Sequence, residues 1–496
     1  MPNKLPIQRL STHVPGLDKL LGGGIPEYSF NIIAGSPGSG KTTLAHQMMF
    51  AMAKPDNPIL FFTVVGEPSL KMLRYQQQFS FFDSDKLNRS IRFVNLTDDL
   101  IKGAYSSVLT RINKEMENFQ PKIVMIDSFC SIADITEKTG NNESDFRIFM
   151  YQLGQQLIAW QTTCFVIGEY TVSDEQSTAL LTVADGILWL TQNLHHNSVV
   201  RKIRVIKMRG QDHVPGLHTF RINEAGLKIF PRAVLPSELV GQSAIRSFSS
   251  GQRLSMGVVG LDEMMGGGLP AGYSLLLAGP SGSGKTIMAT EFLAEGVRRG
   301  EPGVIAAFEK SPRQLLSNKL HALLKDESIG IIDTHSLDLS IDETLYDLIS
   351  MIEKMSAKRV VIDSLSGFEM ALAPEFREDY RESLYRMISV LTAKGVSVLM
   401  TSEVEDRYTD LRFSSYGNAF LADAIILHRY VEIAGTFKRA MSVVKVRGSA
   451  HSKDIRLFDI DGDDIKLGAK LEIYEGIFSG RPTTPYKRDF VLGVAE

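Results

Sequence analysis

Two glycine-rich segments of the chain have the residue types and spacing that bind phosphate. Gly35–Thr42 reads GSPGSGKT and Gly279–Thr286 reads GPSGSGKT, so both fit the pattern G-x-x-x-x-G-K-[ST]. Glycines permit a tight turn whose backbone N–H groups point inward at phosphate oxygens, beside the positive end of a helix. The lysine that reaches the β- and γ-phosphates and the threonine whose hydroxyl binds Mg²⁺ are Lys41 and Thr42 in the first segment, and Lys285 and Thr286 in the second.

Two aspartates complete the predicted magnesium sites. Asp127 and Asp363 each end an apolar run and are each followed by serine. In a phosphate-loop fold this is the place of the carboxylate that orients Mg²⁺. The alternative is a capping or turn residue, and the recurrence of the Asp-Ser pair favours the metal role.

Hydrolysis also needs a group that orients or deprotonates the attacking nucleophile. Glu67, in TVVGEPS, and Glu309, in AAFEKSP, are the candidates because each follows the strand after the phosphate-loop helix. The alternative is an exposed carboxylate at the start of a helix, where the helix dipole favours it.

A third repeated element is cationic. Lys207-Met208-Arg209-Gly210 and Lys445-Val446-Arg447-Gly448 end late strand-like runs. Residues two apart on a strand face the same side, so each lysine and arginine would converge on one point. The pair could decorate a solvated edge, or in an oligomer it could lie against a neighbour's nucleotide and supply positive charge.

These elements occur twice because the chain is a tandem duplication. Pro15–Thr43 returns as Val259–Ile287, and Lys285 lies 244 residues after Lys41. The aspartate and cationic elements recur in the same order. We expect domains at residues 1–240 and 241–475 and a tail at 476–496, with the seam in the polar stretch Pro236–Gly251.

Each half alternates apolar strands with helices, which predicts an α/β fold with a mostly parallel sheet flanked by helices. Later apolar runs lack intervening helices, so we expect antiparallel strands at the end of each sheet. The predicted strands are Ser29–Ala34, Ile59–Val65, Lys122–Asp127, Cys164–Gly168, Asp185–Leu190 and Val200–Met208, then Ser274–Ala278, Val304–Phe308, Arg359–Asp363, Val396–Thr401, Asp423–Leu427 and Ala440–Val446. The predicted helices are Lys41–Ala53, Ser144–Thr162, Lys285–Arg299 and Glu378–Lys394.

Composition narrows the class of protein. Of 496 residues, 44% are hydrophobic and 22% charged, which is typical of a globular chain. The net charge of −3 gives no global positive field for nucleic acid or an anionic membrane. No apolar run approaches the length of a membrane helix, and the two cysteines, Cys130 and Cys164, are expected to be buried reduced thiols. We therefore expect a cytoplasmic protein that binds neither membrane nor nucleic acid.

The combination of motifs resembles the KaiC-like family of circadian clock ATPases. Two phosphate-loop domains are each opened by G-L-D-x-x-x-G-G-G-[IL]-P and closed by K-x-R-G-x-x-H, over nearly the whole chain. The resemblance implies two tandem RecA-like domains and a double-ring homohexamer. ATP and Mg²⁺ would lie at subunit interfaces in both rings.

The resemblance also implies nucleotide-binding residues. The phosphate-loop contacts would be Gly38, Ser39, Gly40, Lys41, Thr42 and Thr43, then Gly282, Ser283, Gly284, Lys285, Thr286 and Ile287. Contacts from the adjacent subunit would be Lys207, Met208, Arg209, Gln211 and His213, with Asn223 and Glu224, in the first ring, and Arg439, Lys445, Val446 and Arg447 in the second. Arg147 and Arg377 resemble the family's interface arginines.

The chain departs from the family pattern at two functional positions. The family has a Glu-Glu pair after its second strand, whereas the aligned residues here are Val65-Gly66 in the first half and Glu309-Lys310 in the second. The family's adjacent Ser-Thr phosphorylation pair is replaced by Ala419 and Phe420, which have no hydroxyl. A phosphorylation clock of the KaiC type is therefore not expected. We do not expect dependence on KaiA, because only about ten residues follow the segment that resembles the KaiA-responsive loop, and we expect a KaiB-like protein partner.

Four functions remain open at this point. One is a largely inactive ring that binds nucleotide only for structural stability, which the missing Glu-Glu pair favours. The leading hypothesis is an ATP-hydrolysing hexameric switch in timing or stress signalling, because proteins that bind one nucleotide state better would be controlled by hydrolysis. A Ser/Thr autokinase would need another acceptor, such as Ser414 or Ser415. A RecA-like DNA-dependent ATPase would need a basic channel to follow phosphates, and no dense Lys/Arg run is present.

Overall fold

The computed structural model describes residues 7–64, 74–102, 105–128, 143–170, 183–195, 198–233, 251–308, 318–333, 339–404, 421–433 and 435–471. The chain divides into two compact units, Met1–Arg232 and Ala233–Glu496. Nearly all of the expected seam, Pro236–Gly251, lies outside the described residues, as does the tail.

The first unit contains eleven of the described strands. They are β1 (Arg9–Leu10), β2 (Ile25–Pro26), β3 (Phe30–Gly35), β4 (Ile59–Thr63), β5 (Ile91–Asn95), β6 (Ile123–Asp127), β7 (Thr163–Glu169), β8 (Gly186–His195), β9 (Ser198–Met208), β10 (His218–Asn223) and β11 (Gly226–Phe230). Its described helices are α1 (Leu17–Leu20), α2 (Lys41–Met52), α3 (Thr97–Lys102), α4 (Tyr105–Phe119) and α5 (Glu143–Ala159).

The second unit repeats this order. Its described strands are β12 (Arg253–Leu254), β13 (Leu269–Pro270), β14 (Ser274–Gly279), β15 (Gly303–Ala307), β16 (Ile329–Asp333), β17 (Arg359–Asp363), β18 (Ser397–Glu403), β19 (Ala424–Ile433), β20 (Thr436–Val446), β21 (Ile455–Asp461) and β22 (Asp464–Lys470). Its described helices are α6 (Leu261–Met264), α7 (Lys285–Arg298), α8 (Asn318–Lys325), α9 (Ile341–Met355), α10 (Leu365–Ala371), α11 (Pro374–Arg377) and α12 (Tyr380–Ala393).

Among the described residues, a nine-stranded sheet forms the centre of each unit. The strand order is β11-β10-β9-β8-β3-β7-β6-β4-β5 in the first, and the equivalent strands of the second follow the same order, β22-β21-β20-β19-β14-β18-β17-β15-β16. Pairings from β8 to β5 are parallel, and those from β8 to β11 are antiparallel. The predicted α/β fold, its mostly parallel sheet and its antiparallel end are confirmed.

Each sheet is covered by apolar packing on both faces. Successive side chains of a strand point to opposite faces. In β3, Ile32 belongs to a cluster with Leu109 and Leu153, from helices on one face, whereas Ile33 packs in a cluster with Leu44 of α2 on the other. Burial on both faces explains why the central strands are continuously apolar rather than alternating.

Cys164 lies on β7 and is buried, as predicted. Burial raises the pKa of its thiol far above the usual range, so the thiol is protonated and unreactive. Cys130 lies outside the described residues. Among the helices that the structure describes, none is long and apolar enough to cross a membrane.

Candidate nucleotide sites

The phosphate-loop segments connect the central strand of each sheet to the following helix. In the first unit β3 ends at Gly35 and α2 begins at Lys41, and β14 and α7 repeat this connection in the second. Gly40 and Gly284, which precede the helices, have φ angles of 101° and 89°. A Cβ atom on Gly40 would lie 2.7 Å from Ile222 Cδ1. The positive φ angles favour glycine at both positions, and at Gly40 a Cβ atom would also require the end of the Ile222 side chain to move.

The lysine of each segment bonds the loop itself. Lys41 Nζ donates to the Ser36 carbonyl at 2.8 Å, and Lys285 Nζ donates to the carbonyls of Gly279 and Pro280 at 2.9 and 2.8 Å. These bonds hold the ammonium groups at the mouths of the loops. A phosphate oxygen arriving there would meet a positive charge already in place.

The predicted threonine and aspartate meet in both units. Thr42 Oγ1 donates to Asp127 Oδ2 at 2.8 Å, and Thr286 Oγ1 donates to Asp363 Oδ2 at 2.8 Å. Thr401 Oγ1 donates to the other oxygen of Asp363. Hydroxyl and carboxylate oxygens are hard donors, and Mg²⁺ prefers one or two of them with waters and substrate phosphates. The residues present therefore fit a magnesium ion bound with a nucleotide.

The electrostatics of Asp127 fit the same role. Burial raises the pKa of its carboxyl group to about 6, an effect that the Thr42 hydrogen bond and the Lys41 charge oppose, while nearby Glu169 adds to it. A carboxylate in this environment is more stable when a cation shares the site.

A cavity of about 340 Å³ opens over the phosphate loop of the second unit. It is lined by residues predicted from sequence, Gly282, Gly284, Lys285, Thr286, Ile287, Asp363 and Arg439, and by Ser281, Ser364, Glu403 and Ile460, which were not predicted. The cavity brings together the phosphate loop, the aspartate and a second cation. In the same loop the hydroxyl of Ser283, like that of Ser39 in the first unit, is buried and has no hydrogen-bond partner among the described residues.

Two glutamates missed by sequence reasoning lie at the same position in the two units. Glu169 ends β7 directly opposite Gly35, and Glu403 ends β18 directly opposite Gly279. Their position in the sequence could have revealed them, because each glutamate ends the strand that follows the Asp-Ser pair of its own half.

Arg439 lies in its own chain's cavity, whereas the resemblance implied a contact from a neighbour. It pairs across the hairpin with Tyr430, just as Arg201 pairs with Gln192 in the first unit. The Nε atoms of both arginines are buried without a hydrogen-bond partner among the described residues. Arg201 was not predicted, although it precedes Lys207 by the same six residues that separate Arg439 from its lysine.

In the first unit the Lys-x-Arg-Gly element lies at the far end of β3 from the phosphate loop. Arg209 Nη1 is 3.2 Å from Asp185 Oδ1, and Asp185 accepts the backbone N–H of Phe30, the first residue of β3. Five strand steps of about 3.3 Å separate Phe30 from Gly35, or about 17 Å. Burial and the charge of Arg209 lower the pKa of Lys207, so the two cations are close together as predicted.

The second unit repeats this arrangement. Arg447 Nη1 is 3.2 Å from Asp423 Oδ1, and Asp423 accepts the backbone N–H of Ser274 at the start of β14. Lys445 Nζ donates to the Ala422 carbonyl at 2.7 Å, and burial and the charge of Arg447 lower the pKa of Lys445. Neither cationic pair can therefore reach the phosphate loop of its own unit.

Other residues that were predicted to contact the nucleotide of an adjacent subunit form hydrogen bonds or are buried within their own chain. Gln211 Nε2 donates to the carbonyls of Leu21 and Gly24, both at 2.7 Å. The backbone N–H of His213 donates to Asp212 Oδ1. Asn223 accepts the backbone N–H of Ala225 in the turn after β10, where Glu224 follows it, while Met208 and Val446 are buried.

The structure describes the side chain of only one of the two predicted interface arginines. Arg377 donates to the carbonyls of Leu372 and Met370 at 3.3 and 3.0 Å. Arg147 lies in α5, but its side chain is outside the described part of the structure. Also outside the described residues are Glu67, Glu309, Ser414, Ser415, Ala419 and Phe420.

The duplicated sites match a known family. The family model for the ATPase KaiC matches residues 10–234 and again residues 254–472, one match for each unit. The chain belongs to the KaiC ATPase family. Each match contains a phosphate loop, its aspartate and a Lys-x-Arg-Gly element, so the predicted resemblance is confirmed.

Three similar proteins carry the names of circadian clock proteins. The chain is 27% identical to the circadian clock protein KaiC3 of Synechocystis sp. over 493 residues, covering 96% of this chain and 95% of that protein. It is 27% identical to the circadian clock oscillator protein KaiC 1 of the same organism, covering 96% and 92%. It is 26% identical to the circadian clock oscillator protein KaiC of Picosynechococcus sp., covering 96% and 93%. The similarity therefore spans both ATPase domains.

Proposed function

We propose that this KaiC-family protein is a homohexameric double ring that binds and hydrolyses ATP with Mg²⁺ and uses the nucleotide state to control a KaiB-like protein partner. The observation that carries the proposal is the threonine–aspartate pair beside each phosphate loop, at 2.8 Å in both units. Two sites that both keep this threonine–aspartate pair favour two catalytic rings over a chain in which one site has lost it.

The distribution of cations supports shared sites between copies. In each unit the lysine of the phosphate loop and an arginine of the hairpin lie at one end of the central strand, while the Lys-x-Arg pair lies at the other end. In the proposed ring, a neighbouring copy would bring Arg209 or Arg447 to a nucleotide, because neither reaches the phosphate loop of its own unit. Arginine supplied in this way stabilises the charge that develops during phosphoryl transfer.

The roles of the chain's own residues follow from phosphate chemistry. Lys41 and Lys285 would neutralise the β- and γ-phosphates, and the threonine–aspartate pairs would hold Mg²⁺. Magnesium, when bound, would polarise the phosphate oxygens. Glu67 and Glu309 remain our candidates for orienting the attacking water. A partner that binds only one nucleotide state would then follow the state of the ring, which is how hydrolysis could serve timing or stress signalling.

The test uses full-length protein with γ-³²P-labelled ATP and Mg²⁺, comparing wild type with Lys41→Ala, Lys285→Ala and the double variant. We expect slow phosphate release that each single substitution reduces and the double substitution abolishes. Light scattering after chromatography should give the mass of six chains. Undiminished release in the double variant would refute the assignment of the sites, and a monomer with nucleotide present would refute the shared-site arrangement.

The same experiment tests the autokinase alternative. Label retained on wild-type protein but lost in Lys285→Ala would show phosphorylation of an acceptor other than Ala419 or Phe420, which cannot accept phosphate. Phosphate release stimulated by DNA, with salt-dependent DNA binding, would instead favour the DNA-dependent ATPase.

A further inference from the structure

The second phosphate loop is bonded to the neighbouring strand β19 by an imidazole. His428 Nδ1 is 3.0 Å from the carbonyl oxygen of Ser283. The acceptor is a carbonyl, so Nδ1 carries the proton and donates. His428 is fully buried and its ring packs 4.7 Å from the ring of Phe458, and burial lowers its pKa to about 3. The donor is therefore a neutral, fixed imidazole at physiological pH.

A second bond from the same strand supports this loop. Tyr430 Oη donates to the carbonyl of Ser281 at 3.4 Å. A Cβ atom on Gly279 would lie 2.7 Å from His428 Cβ, so the loop and the strand are in close contact where the loop begins. Two carbonyls of the phosphate loop are thus held on the side of β19.

Holding these carbonyls fixes the groups that bind phosphate. In a planar trans peptide the C=O and N–H groups point in opposite directions. The carbonyl of Ser283 shares its peptide with the N–H of Gly284, and that of Ser281 shares its peptide with the N–H of Gly282. Both glycines line the cavity. The bond from His428 therefore holds the Gly284 N–H away from β19, in the orientation that receives an anion.

In the described part of the first unit, the equivalent position has no such donor. Ala34 pairs with Trp189 and Gly35 with Leu190, whereas Ala278 pairs with Leu427, the residue before His428. Leu190 therefore occupies the position of His428, and it is buried in the apolar core with no group that can donate. The two loops have nearly the same sequence, but only the second accepts a side-chain hydrogen bond at this position of the neighbouring strand.

We propose that His428 is a positioning residue that pre-orders the second phosphate loop, so that the second unit binds nucleoside triphosphate more tightly and releases it more slowly than it would with the leucine of the first unit. This inference rests on the proposed function, because it assumes that both loops bind nucleotide. Pre-ordering raises affinity because the binding free energy is not spent on ordering the loop.

The experiment measures binding of a fluorescent ATP analogue with Mg²⁺ to full-length Lys41→Ala protein, in which only the second loop is intact. His428→Leu should raise Kd and the dissociation rate about 2- to 10-fold, the range for one neutral hydrogen bond. His428→Asn, whose amide nitrogen takes the place of Nδ1, should restore most of the affinity. Tyr430→Phe should have a smaller effect because its bond is longer. In the Lys285→Ala background, His428→Leu should leave the first site unchanged.

Unchanged binding in His428→Leu would overturn the inference while leaving the proposed function intact. Equal loss of affinity in the leucine and asparagine variants, with equal loss of melting temperature in the absence of nucleotide, would reassign His428 to core packing and also overturn it. If Lys41→Ala and Lys285→Ala proteins both fail to bind the analogue, the proposed function and the inference fail together.

Discussion

A buried ion pair in the second unit predicts an unequal response to single and double substitution. The guanidinium of Arg359, on β17, is fully buried and donates twice to Glu301 Oε2, at 3.0 and 2.6 Å. Its remaining bonds go to the carbonyls of Ser255 and Phe292, at 2.8 and 2.7 Å. Glu301→Ala would remove the only carboxylate bonded to this cation in the described part of the chain.

The loss of stability expected for Glu301→Ala follows from Coulomb's law and from measurements on buried ion pairs. Unit charges about 4 Å apart interact by about 4 kcal/mol at an effective dielectric constant of about 20. Breaking a buried pair typically costs about 3–5 kcal/mol. The Glu301 side chain is 19% exposed, so water can partly replace it, and we take about 3 kcal/mol. At about 2–4 °C per kcal/mol, the second unit should melt about 6–12 °C lower.

The double variant Arg359→Met, Glu301→Gln should recover part of that loss, because the carbonyls of Ser255 and Phe292 still lose their donor. It removes both charges, and β6 of the first unit carries the apolar Ile123 where β17 carries Arg359. Glu353→Ala is the matched control, because its ion pair with Lys394 is exposed and should be worth less than about 1 kcal/mol.

Calorimetry would follow the melting transitions, and hydrogen exchange of peptides covering β17 would assign the affected unit. A double variant as unstable as Glu301→Ala would refute the argument, as would a control variant with an equal loss.

Three further predictions concern the first unit. Burial lowers the pKa of His46 to about 4, so the unfolded chain binds a proton that the folded chain does not, and stability should fall by about 1.5 kcal/mol between pH 6.5 and pH 5. His46→Leu should flatten that dependence in thermal melts, and an unchanged slope would contradict it. Gly40→Ala should weaken nucleotide binding in the Lys285→Ala background at least 10-fold, whereas Gly216→Ala, which has a similar φ of 99° and no neighbour within 4 Å, should leave binding unchanged. Gln47→Leu should destabilise the unit by about 2–3 kcal/mol in urea titrations, because its amide pairs with both backbone groups of Leu227; a loss below about 0.5 kcal/mol would exclude that role.

Sequence reasoning predicted the parts of the fold that depend on local pattern. The continuous apolar runs and the duplicated loops were enough to predict the central strands, the phosphate-loop helices and the antiparallel end of each sheet. Each chemical motif also lies next to an apolar strand, so the meeting of Thr42 with Asp127 followed from strand ends sharing one edge of the sheet.

The parts that sequence reasoning missed depend on pairing across strands. β5 at the sheet edge and the hairpin of β10 and β11 carry mixed polar and apolar residues, so no continuous run marks them. Arg201 and Arg439 were separated from the phosphate loops by more than 150 residues of sequence, and only the hairpin register brings them there. His428 has no counterpart in the first half, so repetition gave no signal.

In each unit the phosphate-loop lysine and the Lys-x-Arg pair lie at opposite ends of the central strand, β3 or β14. This separation has a consequence for assembly. If the Lys-x-Arg end of one copy meets the phosphate-loop end of another, the two contacting surfaces differ, and association is heterologous. A pair of copies would always leave one surface of each kind open, so growth stops only when a ring closes. Mixing Lys41→Ala chains with Arg209→Ala chains should then regenerate some complete first-ring sites. An interface formed by the phosphate loop of an Arg209→Ala chain and the arginine of a Lys41→Ala chain carries neither substitution.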